Sequence, residues 1–340
     1  MRIELLLIIS CIVFSCESQN IDKADCFQPN MTDTVFIGYE PINIDKINSK
    51  YDDYNSYEGI IITMKDLLIF STNRNSFGDN FDIVSYSLEI TSDYSRYDTS
   101  IFKYYVEEDT MFCKILHELN TEHNENGPYI QLIDFTPEDY FPGHDSLLIF
   151  LTRDESGDQD IICRKYSHKN YYDDYSSLEN EFRNLSILNS AFDDGYVSIS
   201  SDLKKLFFCS NRTGNFDIYQ LNSEVNSNIY NVLYNDNAYH IEEINQLNSD
   251  KEDKCPFFKW NLMVFASNRD GGFGGYDLYY SFFLDNEWTV PINFGAKINS
   301  EYDEFRPISI DSNIMIFSSN RPCGKGGFDL YIVRITDNKK

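Results

Sequence analysis

The sequence predicts an all-β fold, a closed propeller of five blades, and three observations carry that reading. First, one punctuation recurs: Leu or Ile, then Asn, then Ser or Thr, at Ile47-Asn48-Ser49, Leu119-Asn120-Thr121, Leu188-Asn189-Ser190, Leu247-Asn248-Ser249 and Ile298-Asn299-Ser300. Second, each anchor is followed by an apolar run ending near an Arg and then by an Asp beside an apolar residue. This is clearest in LMVFASNRDGGFGGYDLYY (262–280) and IMIFSSNRPCGKGGFDLYI (314–332). Such repetition marks architectures in which each unit buries its faces only against its neighbours. Third, PINIDKINSKYDDY (41–54) matches PINFGAKINSEYDEF (291–305), while the fifth unit runs out after DLYIVRI without a last strand of its own. An N-terminal strand within 34–44 that completes the last blade leaves no open sheet edge at the joint. That favours a closed propeller over an open solenoid.

Spacing between anchors shrinks along the chain from about seventy to about fifty residues, at or above what a four-stranded blade needs. The excess in the first two units is expected as loop insertions at 92–110 and 165–182, rich in Tyr, Asp and Ser. Irregular loops on a rigid repeat scaffold are the expected partner-binding face. The fourth unit reads as strands at Cys255–Lys259, Leu262–Ala266, Tyr276–Phe283 and Trp288–Asn293, with a Gly-rich turn over Ser267–Gly275. Five anchors give five blades; a sixth, weakly marked blade has room only between 75 and 145. No stretch shows sustained helical periodicity.

Composition fits strands packed sheet on sheet: 26 Phe and 25 Tyr in 340 residues. Asp and Glu number 55 against 28 Lys and Arg, a formal charge of −27. Nucleic acid is excluded as a partner, because phosphate binding needs a basic face. Adhesion to anionic head groups through the protein surface is excluded for the same reason.

Arg2 precedes an apolar run, Leu5 to Phe14, of signal-peptide length and too short to span a bilayer. It ends at Val13-Phe14-Ser15-Cys16, which resembles the lipobox of bacterial lipoproteins, where a small residue precedes the Cys that is lipidated. Phe14 and Glu4 depart from that pattern. The division expected is a signal peptide over 1–15, a lipidated N-terminus and tether over 16–33, the propeller over 34–335 and a tail over 336–340. Beyond Cys16 stand Cys26, Cys113, Cys163, Cys209, Cys255 and Cys323; export permits bridges among them, and the absence of any CxxC pair argues against zinc.

At FSTNRNSFGDNFDIV (70–84), FCSNRTGNFDIY (208–219), FASNRDGGFGGYDLY (265–279) and FSSNRPCGKGGFDLY (317–331) the chain resembles the WD40-like repeat of TolB-type bacterial propellers. The second unit, FLTRDESGDQDII (150–162), lacks the Asn. The stretch from Trp288 through Pro291 to Ser300 is similar to repeats of envelope proteins that carry an OmpA-like domain. The resemblance implies a non-catalytic interaction scaffold in the cell envelope of a Gram-negative-type bacterium. It would be anchored in the outer membrane by lipid alone and would face the periplasm or the surface. It would bind an envelope protein or a peptidoglycan-associated partner. Neither the OmpA-like domain nor the N-terminal α/β domain of TolB is present to carry its partners across.

Five residues past each anchoring Asn stands an acid: Asp53, Glu125, Asp194, Asp253 and Glu304. Before it stand Asp52, Asn124, Asp193, Glu252 and Asp303. One reading is an axial acidic ring for a cation such as calcium or for a basic group. The favoured one is structural, because Arg74, Arg153, Arg212, Arg269 and Arg321 also recur once per unit and a guanidinium fork matches a carboxylate. Asp82, Asp217, Asp277 and Asp329 are expected to cap turns or join those pairs. No cofactor, catalytic residue or metal set is indicated. There is no G-x-S-x-G elbow, the five His lack ligand spacing, and the Gly-rich turns open no helix that could hold phosphate. The alternative function is a carbohydrate-binding propeller or a glycoside hydrolase with paired carboxylates, Tyr171, Tyr172 and Tyr175 stacking on sugar. A regular column of acids opposes it, since a catalytic pair needs two different environments.

Overall fold

Every anchor delivers the chain, five residues on, into the first strand of a blade, and that strand begins at the acid. The computed structural model describes residues 35–37, 39–60, 66–93, 101–108, 113–133, 146–155, 157–167, 179–223, 227–235, 239–310 and 313–335. Two short strands come first, β1 (Val35–Ile37) and β2 (Ile42–Asn43). Blade 1 holds β3 (Asp53–Ile60), β4 (Asp66–Thr72), β5 (Asp82–Asp93) and β6 (Ile101–Glu108). A helix, α1 (Cys113–Leu119), leads to blade 2 with β7 (Glu125–Ile133), β8 (Ser146–Arg153), β9 (Asp160–Ser167) and β10 (Glu179–Asn184). Blade 3 has β11 (Asp194–Ile199), β12 (Lys205–Ser210), β13 (Asp217–Asn222), the helix α2 (Ile229–Asn235) and β14 (Ile241–Glu243). Blade 4 has β15 (Asp253–Lys259), β16 (Leu262–Ser267), β17 (Asp277–Leu284), β18 (Glu287–Trp288) and β19 (Ile292–Asn293). Blade 5 has β20 (Glu304–Ser309), β21 (Ile314–Ser319) and β22 (Asp329–Arg334).

All pairing within these five sheets is antiparallel, and the first three strands of each blade follow chain order outward. The first strands pack in a ring, β3 on β7, β7 on β11, β11 on β15, β15 on β20 and β20 back on β3. This is a closed five-bladed propeller, with no sixth sheet among the described residues.

Closure uses two pieces of the N-terminal segment. β2 pairs with β22, Ile42 opposite Ile332 and Asn43 opposite Tyr331, and so supplies the fourth strand of blade 5. β1 instead adds a fifth strand to blade 1 beside β6. The expected single strand across 34–44 is therefore split between the first blade and the last. Asn43 repeats Asn293: each donates to the Asp that opens the neighbouring third strand, and each accepts from the next anchor, Asn48 or Asn299.

Two other expectations are corrected. The described parts of 92–110 and 165–182 are largely strand, because β5, β6, β9 and β10 continue the outer half of their blades. In blade 4, the strand expected over Trp288–Asn293 is two short ones, β18 and β19. Helices α1 and α2 have seven residues each, too short for a periodic signal; they bury Ile115, Leu116 and Leu119, and Ile229, Val232 and Leu233.

Second strands are buried on both faces because every blade is sandwiched between two others. Phe70, Phe208, Phe265 and Phe317 are fully buried there. Trp288 fills the gap between blades 3 and 4, against Phe207 and Phe258 at ring-centroid distances of 5.9 and 5.6 Å.

The anchor Asn joins one blade to the next. Its side-chain amide pairs with the backbone of the residue after the third-strand Asp in the preceding blade, accepting from the N–H and donating to the C=O. Asn48 does so with Leu330, Asn120 with Ile83, Asn189 with Ile161, Asn248 with Ile218 and Asn299 with Leu278, at 2.7–3.0 Å. An amide side chain carries both donor and acceptor, so Asn can stand in for one residue of a strand ladder. Asn299→Ala should destabilise the protein by about 3 kcal/mol in chemical denaturation, because the buried N–H and C=O of Leu278 both lose their partner. An unchanged denaturation midpoint would contradict this role.

Candidate functional site

The five acids at the roots of the blades are wholly buried, and each is paired inside its own blade. Arg74 pairs with Asp53, Arg153 with Glu125 at 2.9 Å, Arg212 with Asp194 at 2.6 Å, Arg269 with Asp253, and Arg321 with Glu304 at 2.8 Å. The same guanidinium donates to the carbonyl of the apolar residue before the anchor: Ile47, Leu119, Leu188, Leu247 or Ile298. The acid also accepts from the backbone N–H of Ser49, Thr121, Ser190, Ser249 or Ser300, and from a hydroxyl, that of Thr72 on Asp53 and those of Thr121, Ser190, Ser249 and Ser300 on the other four. Beneath the guanidinium lies an aromatic floor. Arg212 sits 5.2 and 5.1 Å from the rings of Phe208 and Tyr219, Arg269 over Phe265 and Tyr279, and Arg321 over Phe317 and Tyr331. Charge, hydrogen bonds and stacking thus converge on one planar group, which a Lys could not satisfy.

Blade 2 reaches the same result from a shifted sequence. Arg153 lies opposite Glu125, the place held by Thr72 opposite Asp53 in blade 1. Asp154 then takes the position of the missing Asn and accepts from the Asn124 N–H, as Asn73 does from Asp52.

The column before the acids seals the seams between blades. Asp52, Asn124, Asp193 and Asp303 accept the backbone N–H of Phe328, Phe81, Gln159 and Tyr276 on the preceding blade. Glu252 departs from this, taking the Tyr276 hydroxyl and Lys254 instead. The third-strand acids cap turns: Asp277 accepts from the N–H of Phe273 and Gly274, and Asp329 from Lys325 and Gly326. The Gly-rich turns are required by close approach. A Cβ on Gly326 would lie 1.8 Å from the Tyr51 carbonyl oxygen, and one on Gly274 2.4 Å from that of Tyr302.

Among the described residues no group of three or more His, Cys, Asp or Glu converges as a metal site would. Cys16, Tyr171, Tyr172 and Tyr175 lie outside the described residues. Cys163, Cys209 and Cys255 are free and buried, and Cys323 is disulfide-bonded.

A different column occupies the inner strands two residues beyond the acids: Asn55, Gly127, Tyr196, Cys255 and Arg306. Each sits in a β-bulge with positive φ, between 44° and 61°. Since all five blades share this backbone, the left-handed residue belongs to the architecture and marks no single strained site. Composition in this column is irregular, which is why repetition in the sequence does not single it out. Arg306, from blade 5, reaches the Pro128 carbonyl of blade 2 at 3.4 Å and lies 5.5 Å from the Tyr196 ring of blade 3.

No protein-family model matches the chain, and no curated protein does. Solved structures do. The chain is similar to a GH43 endo-arabinanase from Bacillus licheniformis, at 12% identity over 89% of this chain and 95% of that one, TM-score 0.37. It is similar to a family 117 glycoside hydrolase from Zobellia galactanivorans, at 10% identity over 88% and 89%, TM-score 0.45. It is also similar to TolB from Acinetobacter baumannii, at 16% identity over 76% of this chain and 64% of that one, TM-score 0.31. The neighbours thus divide between glycoside hydrolases and TolB proteins, and none is similar enough to lend this chain an activity.

Two outcomes follow from the paired acids. Arg212→Ala strands the buried Asp194 carboxylate and should cost about 3 kcal/mol or more in denaturant unfolding, with Arg212→Lys recovering only part. Equal stability of Arg212→Ala and the parent would refute the pairing. Several carboxyls are held above their ordinary range. Burial pushes Asp217 up to about 6, with the Thr213 hydroxyl opposing and Glu243 and Asp253 adding to the rise. Burial likewise raises Glu125 and Glu304 against their Ser/Thr and Arg partners. A folded-state pKa above the unfolded value means that the folded protein binds the proton more tightly, so stability grows as pH falls through the folded pKa. The melting temperature should rise between pH 7 and pH 5, and Asp217→Asn should reduce that slope. An identical pH profile in the variant would count against the assignment.

Proposed function

We propose that this protein is a non-catalytic propeller scaffold of the bacterial cell envelope, exported, tethered by lipid at Cys16, and binding an envelope protein partner. What supports the reading is the state of the acids. A hydrolytic pair must present two carboxylates to substrate and solvent in unlike environments. The five at the blade roots are instead buried and committed to arginines in one repeated geometry. The partner face is one end of the ring. Links into each first strand and turns between second and third strands emerge at the same end, and there Phe77, Phe192 and Phe273 are exposed, 83%, 51% and 49%. Exposed aromatics on rigid loops are the residues that anchor protein interfaces.

The second reading is a carbohydrate-binding or glycoside-hydrolysing propeller. It is the one that the arabinanase and the family 117 neighbours bring forward by name. Both readings meet in one experiment. The intact protein is captured from its native envelope beside a Phe77→Ser/Phe192→Ser/Phe273→Ser variant, and both are run on a glycan array and in a polysaccharide hydrolysis assay. The scaffold reading expects the same envelope protein with the parent, at least tenfold less with the variant, and no glycan turnover. Glycan retention or reducing-sugar release, with equal capture by parent and variant, would replace it with the second reading.

A further inference from the structure

Among the described residues Arg306 is the largest fully buried side chain, 0% exposed, and unlike the five arginines of the repeat it pairs with no carboxylate there. Its single hydrogen bond among the described residues is the long one from Nη2 to the Pro128 carbonyl, and Nε and Nη1 have no partner. Next to it in the same column, Asn55 on the first strand of blade 1 is 0% exposed and leaves both side-chain atoms, Nδ2 and Oδ1, unpaired. Orphaned buried polar atoms are rare in folded proteins and call for a specific cause.

Charge makes the case sharper. A guanidinium does not shed its proton in a protein, so burial cannot be relieved by neutralisation as it is for a lysine. An uncompensated buried charge is among the most unfavourable things a fold can contain. The groups that face Arg306 are Cys255, Tyr196, Cys209 and Tyr129, and burial raises the pKa of each, so all four are neutral at physiological pH. The five repeated acids are each committed to another arginine. The side chain crosses the axis from blade 5 to touch blades 2 and 3, so its head lies where the five inner strands meet.

We propose that the propeller axis binds a small monovalent inorganic anion, of the halide class, on the Nε and Nη1 hydrogens of Arg306, with the Asn55 amide as a further donor. The anion supplies the missing counter-charge and ties the inner strands of blades 5 and 1 together at the centre of the ring. A multiply charged anion does not fit, because one buried cationic charge needs one compensating charge and the groups that face it are neutral.

Bromide is the probe. Thermal melts of the full chain in sodium bromide and in sodium gluconate at equal ionic strength should differ by roughly 3 °C or more at saturation, in favour of bromide. Arg306→Met, which keeps the stem and removes the charge, should melt identically in the two salts. Crystals grown in bromide should give an anomalous peak against the Arg306 guanidinium. Should Arg306→Met fail to fold, the wild-type melts and the anomalous map decide alone. Equal melts of the parent in both salts, or water with no anomalous signal at Arg306, would overturn the proposal.

Discussion

The fold depends on one repeated interaction, a buried carboxylate held by an arginine two strands' ends away. The acid opens the first strand, the Arg comes from the end of the second, and the same Arg reaches back to the carbonyl before the anchor. Three backbone segments are therefore fixed to one another at the root of each blade. Buried ion pairs add little net stability when weighed against apolar replacements, but breaking one leaves an unpaired charge. Their contribution here is register. The aromatic pair beneath the guanidinium, such as Phe208 and Tyr219, fixes its plane, and only one strand alignment lets fork, carboxylate and rings meet. Blade 2 shows that this geometry is what matters, because Arg153 stands two positions earlier than the other four arginines, the acid is Glu125, and the pair survives.

Around that unit the blades are joined by borrowed strand chemistry. The anchor Asn completes a ladder with the preceding third strand, the residue before the acid takes a further N–H, and glycines let the turns of blades 4 and 5 press against the next blade's backbone. None of these contacts is local, yet each involves residues a fixed distance from the anchor. A short motif can therefore specify a whole ring. The last joint follows the same rule, since Asn43 and Asn48 reproduce Asn293 and Asn299 across the chain's two ends.

The axis obeys a different logic. Its column shares the bulged backbone of the repeat but not the repeat's chemistry, running through Asn, Gly, Tyr, Cys and Arg. Gly127 leaves the space that the Tyr196 ring fills, and Arg306 crosses the centre. Where five equivalent positions converge on a line there is no room for five equal side chains, so symmetry must break there. The peripheral acids, by contrast, can stay identical because each has its own blade around it.

Much of this was legible in the chain. The anchors, the acid and arginine columns and the 41–54 match to 291–305 carried the fold class, the blade count and the role of the N-terminal segment, because repetition exposes any position on which every unit depends. The outer halves of blades 1 and 2 were not legible, since β5, β6, β9 and β10 continue as strands through polar, Tyr-rich sequence whose order comes from neighbouring strands. The division of 35–43 between two blades was hidden for a similar reason: which sheet edge a short strand joins depends on which edge the closed ring leaves open. The sequence by itself determined the repeated contacts, as each repeats an identity at a fixed spacing. Only the tertiary structure decided what faces the axis and which acids are spent, because burial and convergence are properties of the ring and of no single blade.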